Sequence, residues 1–115
     1  GERAPQLPPL KDLYEVVASK AGHNVDIKKE SKAIEQRIRR TILTAVNNLA
    51  SLGIIDYTNS EFEYYAPRYF DFQEMRNYMT TIQKGNAEST KVKINIKKFL
   101  QVLYLETLEK YNQSY

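Results

Sequence analysis

Cysteine is absent from this chain, and histidine occurs once, at His23. Without cysteine, disulfide bridges and thiolate-bound metals are excluded. A single histidine cannot assemble a histidine-based metal cluster or a Ser-His catalytic arrangement, so we interpret His23 as a turn residue, with hydrogen bonding to a phosphate as the alternative. The four glycines stand singly, and the sequence therefore has no glycine-rich phosphate loop. We expect no metal and no cofactor.

Long apolar runs are also missing. None approaches the roughly 20 residues that a membrane span requires, and the N-terminus has no apolar signal-peptide core. These absences predict a cytoplasmic chain without a membrane partner. Glu61 and Glu63 are a carboxylate pair of the kind that performs acid–base chemistry, but no third group or pocket motif accompanies them. We therefore predict that the chain is not an enzyme.

Positive charge is distributed unevenly along the chain. The net charge is only +3 over 115 residues. Residues 20–40, however, contain seven lysines and arginines against three acidic residues, and residues 91–98 contain four lysines and no acid. The remainder of the chain is acidic. Two basic clusters on an acidic body indicate a surface for a polyanion, although a solvated face explains a single cluster equally well.

The N-terminal half of the sequence predicts a linker followed by two helices. Residues 1–9 contain three prolines and are interpreted as a linker or extended arm. Gly1 is interpreted as a residue left by cloning, and the natural protein is therefore expected to be longer. Apolar residues then recur at helical spacing over 10–21 and over 30–52, and a glycine follows each run. The polar segment 23–29 serves as the turn between the two helices. A helix-turn-helix is therefore expected at about residues 10–52.

Further helices are predicted after Gly53, the residue expected to stop the second helix. Asp71 is a suitable N-cap for a helix over 72–83. The segment 85–90 is expected to be a flexible loop. The fold class predicted for residues 10–115 is therefore all-α, mostly helical: a single helix-turn-helix domain with additional C-terminal helices.

Two segments of the C-terminal half allow alternative interpretations. Residues 91–96 alternate between apolar and polar, which is typical of a short extended segment, but Asn95 can instead cap a final helix that frays by Tyr111. Residues 57–72 are rich in tyrosine and phenylalanine. We interpret them as core or subunit-interface packing, with the stacking of nucleic-acid bases as the alternative.

The second helix, over 30–52, is the most informative element. When Ile38 is taken as the centre of one face and each residue is rotated by about 100°, one side of the helix is apolar and the other is basic and polar. The apolar side comprises Ile34, Thr41, Ile42, Ala45, Leu49 and Leu52, and the opposite side comprises Lys29, Lys32, Gln36, Arg39, Arg40 and Asn47. A helix of this kind, preceded by a second amphipathic helix and a turn, is typical of helix-turn-helix DNA recognition.

Three blocks of sequence resemble the YcbB-type output domain, which forms the C-terminal part of two-component response regulators in Gram-positive bacteria, including regulators of glutamine utilisation. The blocks are residues 34–59, 70–76 and 94–100, of which the first is the most specific. A more distant similarity links the chain to the DNA-binding domain of the sporulation master regulator, whose recognition-helix motif is matched by Ile34, Glu35, Ile38, Arg39 and Ile42. In this chain the turn between the two helices is several residues longer.

The resemblance implies a sequence-specific DNA-binding transcription regulator with defined partners. These are double-stranded DNA, bound as a homodimer, and a cognate sensor kinase that acts on a receiver domain absent from this sequence. The predicted DNA-binding residues lie on the second helix and near the start of the last one: Lys28, Lys29, Ser31, Lys32, Glu35, Gln36, Arg39, Arg40, Lys97 and Lys98.

Different chemistry is expected from different members of this set. Arginine can pair with guanine through two hydrogen bonds and glutamine with adenine in the same way, so Lys32, Gln36, Arg39 and Arg40 are predicted to contact base edges. The lysines at 28, 29, 97 and 98 are predicted to contact phosphates. Glu35 either accepts a hydrogen bond from cytosine or orients Arg39. Arg37, on the flank of the helix, either pairs with an acid or contacts DNA.

The alternative function is a protein-interaction or dimerisation module. In that interpretation the aromatic segment 62–72 and the C-terminal helix bind a protein partner. Salt distinguishes the two functions, because DNA affinity falls linearly with the logarithm of salt concentration and an aromatic contact barely responds.

Overall fold

The computed structural model describes residues 5–85 and 92–113, and five α-helices make up the regular structure of these residues. The helices are α1 (Leu10–Ser19), α2 (Ile27–Ile55), α3 (Ser60–Tyr69), α4 (Phe72–Gln83) and α5 (Ile96–Gln113). No strand occurs among the described residues, of which 77% are helical. The all-α fold class is therefore confirmed. The predicted loop over 85–90 lies outside the described residues from position 86 onwards.

Short polar side chains fix where four of the helices begin. The side chain of Asp26 accepts a hydrogen bond from the backbone N–H of Lys29. In the same way, Asn59 accepts from the N–H of Phe62, and Asp71 from the N–H of Glu74. Asn95 accepts from the N–H of Lys98 at 3.0 Å. Each cap satisfies one of the N–H groups that a helix start leaves without a partner. The capping interpretation of Asn95 is confirmed, and residues 92–95 form no strand.

The long helix α2 extends beyond both of its predicted ends. It begins at Ile27 rather than Glu30 because Asp26 is its N-cap. The prediction that Gly53 stops it is wrong, because the helix continues to Ile55 with Gly53 buried inside it. Glycine is required there by packing: an added Cβ would lie 2.6 Å from the ring of Phe62. The loss of helix propensity, about 1 kcal/mol, is offset by that close contact.

The core forms around the second half of α2. Ile42, Val46 and Ala50, each one helical turn from the next, are almost fully buried. They pack against α3, α4 and the start of α5 through a set of largely apolar residues: Phe62, Ala66, Met75, Tyr78, Met79 and Ile96. The buried face is thus centred one turn beyond Ile38, which is only half-buried and packs at the edge of this cluster.

One residue lies on the other side of the helix from the one predicted. Thr41, assigned to the apolar face, is exposed and donates its hydroxyl to the carbonyl of Arg37. Asn47, assigned to the polar face, is exposed as predicted and accepts a hydrogen bond from the hydroxyl of Tyr78 in α4. A periodicity calculation uses one centre for the whole helix, whereas α2 is covered by different neighbours along its length.

The N-terminal arm, residues 5–9, is attached to α5. Leu7 donates its N–H to the side chain of Gln101, which in turn donates to the carbonyl of Pro5. Lys97 donates to the carbonyls of Leu7 and Pro8. These contacts hold the segment that leads into α1. In the part of the chain that the structure describes, no helix is both long and apolar enough to cross a membrane.

Candidate nucleic-acid interface

The first half of α2, residues 27–40, presents a row of polar and positively charged side chains to solvent. Apart from Arg37, which is paired with Glu30, the exposed members are Lys28, Lys29, Lys32, Gln36 and Arg40. In the described ranges 5–85 and 92–113, the ion pairs join other residues, Arg37 with Glu30 and Arg39 with Glu35. The ammonium groups of the three lysines and the guanidinium of Arg40 are therefore without an acidic partner there. One face of this half-helix is a source of positive potential.

Arg39 lies beside this row, at the boundary with α1. Its Nη2 is 3.4 Å from Oε1 of Glu35, one turn earlier, and both side chains are about 40% exposed. The pair adjoins the buried Tyr14 of α1. Burial raises the pKa of the Tyr14 hydroxyl, the charge of Glu35 raises it further, and Arg39 opposes them. Glu35 is thus in position to orient Arg39, as one of its two predicted roles requires.

Arg37 has a structural partner on its own helix. Its Nη2 lies 2.9 Å from Oε1 of Glu30 across two turns of α2. The prediction left open whether this arginine pairs with an acid or contacts DNA, and the ion pair agrees with the first alternative. Both side chains remain partly exposed, so the pair contributes little to stability.

Ser31 lines a groove between α1 and α2 together with Lys28 and Lys32 of the row of cations. The groove has a volume of about 340 Å³. Its lining comes from the two helices: Leu10, Lys11, Tyr14, Glu15, Lys28, Ser31, Lys32 and Glu35. The hydroxyls of Ser31 and Tyr14 are buried and have no hydrogen-bond partner among the described residues. Lys11 is exposed at this groove and was not among the DNA-binding residues predicted from the sequence.

Lys97 and Lys98 differ from the lysines of α2 in what their ammonium groups contact. Lys97 Nζ lies 2.9 Å from the carbonyl oxygen of Leu7 and 2.7 Å from that of Pro8. Lys98 Nζ lies 2.9 Å from the carbonyl oxygen of Phe70. Both lysines are half-buried and hold other segments against α5. The structure does not bring them into the row on α2, and their predicted contact with phosphate stays a prediction.

The aromatic segment 62–72 lies largely in α3 and joins it to α5. The hydroxyls of Tyr64 and Tyr69 donate to the two carboxylate oxygens of Glu106, at 3.0 and 2.7 Å. Burial and the Glu106 hydrogen bond raise the pKa of Tyr69, and that same carboxylate raises the pKa of Tyr64. Phe62 is buried in the core. These contacts agree with the packing interpretation of the segment.

An open apolar groove of about 330 Å³ separates α2, α3 and α5. It is lined mainly by aliphatic and aromatic side chains, including Leu49, Leu52, Tyr65, Phe99 and Leu103. Tyr65 and Leu103 are the most exposed of these five. This groove is the feature that the alternative, protein-binding function would use.

A family model describing the YcbB domain matches residues 1–103 of the chain. The chain belongs to the YcbB domain family. It is also 38% identical, over 106 residues, to the transcriptional regulatory protein GlnL of Bacillus subtilis (strain 168). That alignment covers 88% of this chain and 34% of GlnL, so the YcbB chain spans about a third of the length of this relative. No solved structure is significantly similar to it.

Proposed function

We propose that this YcbB domain is the sequence-specific DNA-binding output domain of a two-component response regulator. The single observation that carries the proposal is the row of exposed cations on the first half of α2, which the core leaves uncovered. The GlnL relative, a transcriptional regulatory protein, supports it. The first half of α2 enters the major groove, while α1 braces it from one side and the second half is anchored in the core.

Within the interface, side-chain chemistry separates two tasks. Gln36 and Arg40 are exposed and carry the groups that form paired hydrogen bonds with adenine and guanine edges. Lys28 and Lys29, in the first turn, contact phosphates and set the register of the helix on the duplex. Lys32 lies between these groups and contacts a base edge or an adjacent phosphate.

Arg39 and Glu35 act together in this proposal. A planar guanidinium recognises guanine only when its orientation is fixed. The contact with Glu35 at 3.4 Å holds the Arg39 side chain along α2. Glu35 therefore serves as a positioning residue for Arg39 rather than as an acceptor from cytosine.

Dimerisation on DNA and control by a sensor kinase complete the proposed function. A regulator with one recognition helix per chain reads a two-fold symmetric operator as a homodimer. A sensor kinase controls it through a receiver domain that lies outside this sequence. We place the domain in the cytoplasm, with the DNA that it binds, and expect it to perform no catalysis.

The test begins with selection from a pool of random duplexes, followed by titration of the selected duplex and a random one at several salt concentrations. We expect enrichment of a sequence motif. We also expect the logarithm of the binding constant to fall linearly with the logarithm of salt concentration, with a slope of about −0.9 per phosphate contacted. Lys84→Ala, at an exposed lysine at the end of α4, is the control that should bind as the wild type does. Absence of both enrichment and salt dependence contradicts the proposal.

The open apolar groove favours dimerisation or protein binding as a second function. Leu103 is 44% exposed at its edge. A Leu103→Asp variant should abolish self-association in sedimentation experiments if the groove is the dimer contact, while the salt dependence of binding to random duplex persists. If self-association is unchanged, the groove does not hold the dimer together.

A further inference from the structure

The groove between α1 and α2 gathers lysines from both helices. Lys28 and Lys32 lie one turn apart on α2, and Lys11 comes from the first turn of α1. All three are exposed, and none takes part in an ion pair within the described residues. An anion between the two helices would therefore meet positive charge from both sides.

Two carboxylates also line this groove. Glu35 is paired with Arg39, which compensates its charge. Glu15 is exposed and has no basic partner among the described residues. Three lysines against one uncompensated carboxylate leave the groove positively charged. The hydroxyls of Tyr14 and Ser31 are fully buried beneath it and are not needed for the contact.

We propose that this groove binds one backbone phosphate of the DNA duplex, held by Lys11 together with Lys28 and Lys32. The inference rests on the proposed function and adds α1 to the DNA interface. Ammonium groups suit this task because they act as point charges without the planar geometry that base recognition demands. A phosphate held from two helices also fixes the angle at which α2 meets the duplex.

The experiment measures the salt dependence of binding to a random duplex for the wild type, Lys11→Ala and Lys84→Ala. We expect Lys11→Ala to lower the slope by about one phosphate's contribution, with Lys84→Ala unchanged. The loss should be equal on a random and on a selected duplex, because phosphates carry no base sequence. Thermal melting of each variant verifies that it is folded.

A second arm tests whether the three lysines share one phosphate. Lys11→Ala/Lys32→Ala should lose less affinity than the two single losses added together, because the first substitution already weakens the shared contact. Additive losses overturn the shared site. A wild-type slope for Lys11→Ala overturns the involvement of α1, provided that the wild type itself binds with the expected salt dependence. If the wild type shows none, the proposed function fails first, and the two failures are thereby distinguished.

Discussion

The two halves of α2 belong to one uninterrupted helix but face different surroundings. Residues 27–40 carry exposed cations and have α1 as their neighbour, whereas Ile42, Val46, Ala50 and Gly53 are buried among α3, α4 and α5. The exposed side chains of the first half can be altered without loss of core packing, whereas the buried side chains of the second half cannot. Because the proposed recognition surface and the anchoring residues occupy different halves of one helix, substitutions in each half should affect different measurements.

The largest effect is expected from Ile42→Ala. Ile42 is 1% exposed at the centre of the core, so truncation removes buried methyl and methylene groups and leaves a cavity, lowering the free energy of unfolding by about 2–5 kcal/mol. Ile38→Ala, at the edge of the cluster, should lower it by less. Thermal and denaturant melting compare the two variants. Equal melting of Ile38→Ala and Ile42→Ala contradicts the position of the buried face.

Arg40→Ala should have the opposite profile. We expect a loss of about 1–3 kcal/mol in binding to a selected duplex, with a smaller loss on a random duplex and an unchanged melting temperature, because Arg40 is exposed. Duplex titration and thermal melting supply the two readouts. An equal loss on both duplexes identifies Arg40 as a phosphate contact instead.

Lys97→Met and Lys29→Met compare the two basic clusters directly. Lys97→Met removes two hydrogen bonds to the arm and should lower the free energy of unfolding by about 0.5–1.5 kcal/mol. Lys29→Met should leave melting unchanged and lower the salt slope of DNA binding by about one phosphate's contribution. If Lys97→Met lowers that slope as well, Lys97 contacts phosphate as the sequence predicted.

Tyr14→Phe should have the smallest effect. It removes a buried hydroxyl that has no partner among the described residues, while the ring remains packed between the helices. Because no hydrogen bond is lost, the free energy of unfolding should stay within about 0.5 kcal/mol of the wild type or rise. A large destabilisation in denaturant titration means that a water molecule satisfies this hydroxyl.

Helices whose local signals agree with one another could be predicted from the sequence. The helix α4 was predicted with its bounds and its cap, because Asp71 and the apolar spacing over 72–83 indicate the same structure. Helix α3 was not predicted. Its aromatic residues and internal Pro67 have low helix propensity, and it is held by the Asn59 cap and by packing of Phe62 and Tyr69.

The candidate site was predictable to a similar degree. The exposed cations of α2 followed from helical periodicity, because charge and exposure coincide there. The contacts of Lys97 with the arm could not be predicted, since they join residues about 90 positions apart. The proposed contribution of Lys11 to phosphate binding depends on how α1 packs against α2, which the composition of the basic clusters does not indicate.

The continuity of α2 has a mechanical consequence. A helix of 29 residues is about 43 Å long, and its far end is held by the contact between Gly53 and Phe62. A tilt of one degree at that end moves the opposite end by about 0.8 Å, from the same length. A change of about one degree in the direction in which the core holds α2 would therefore move the cationic end by a distance comparable to the tolerance of a hydrogen bond.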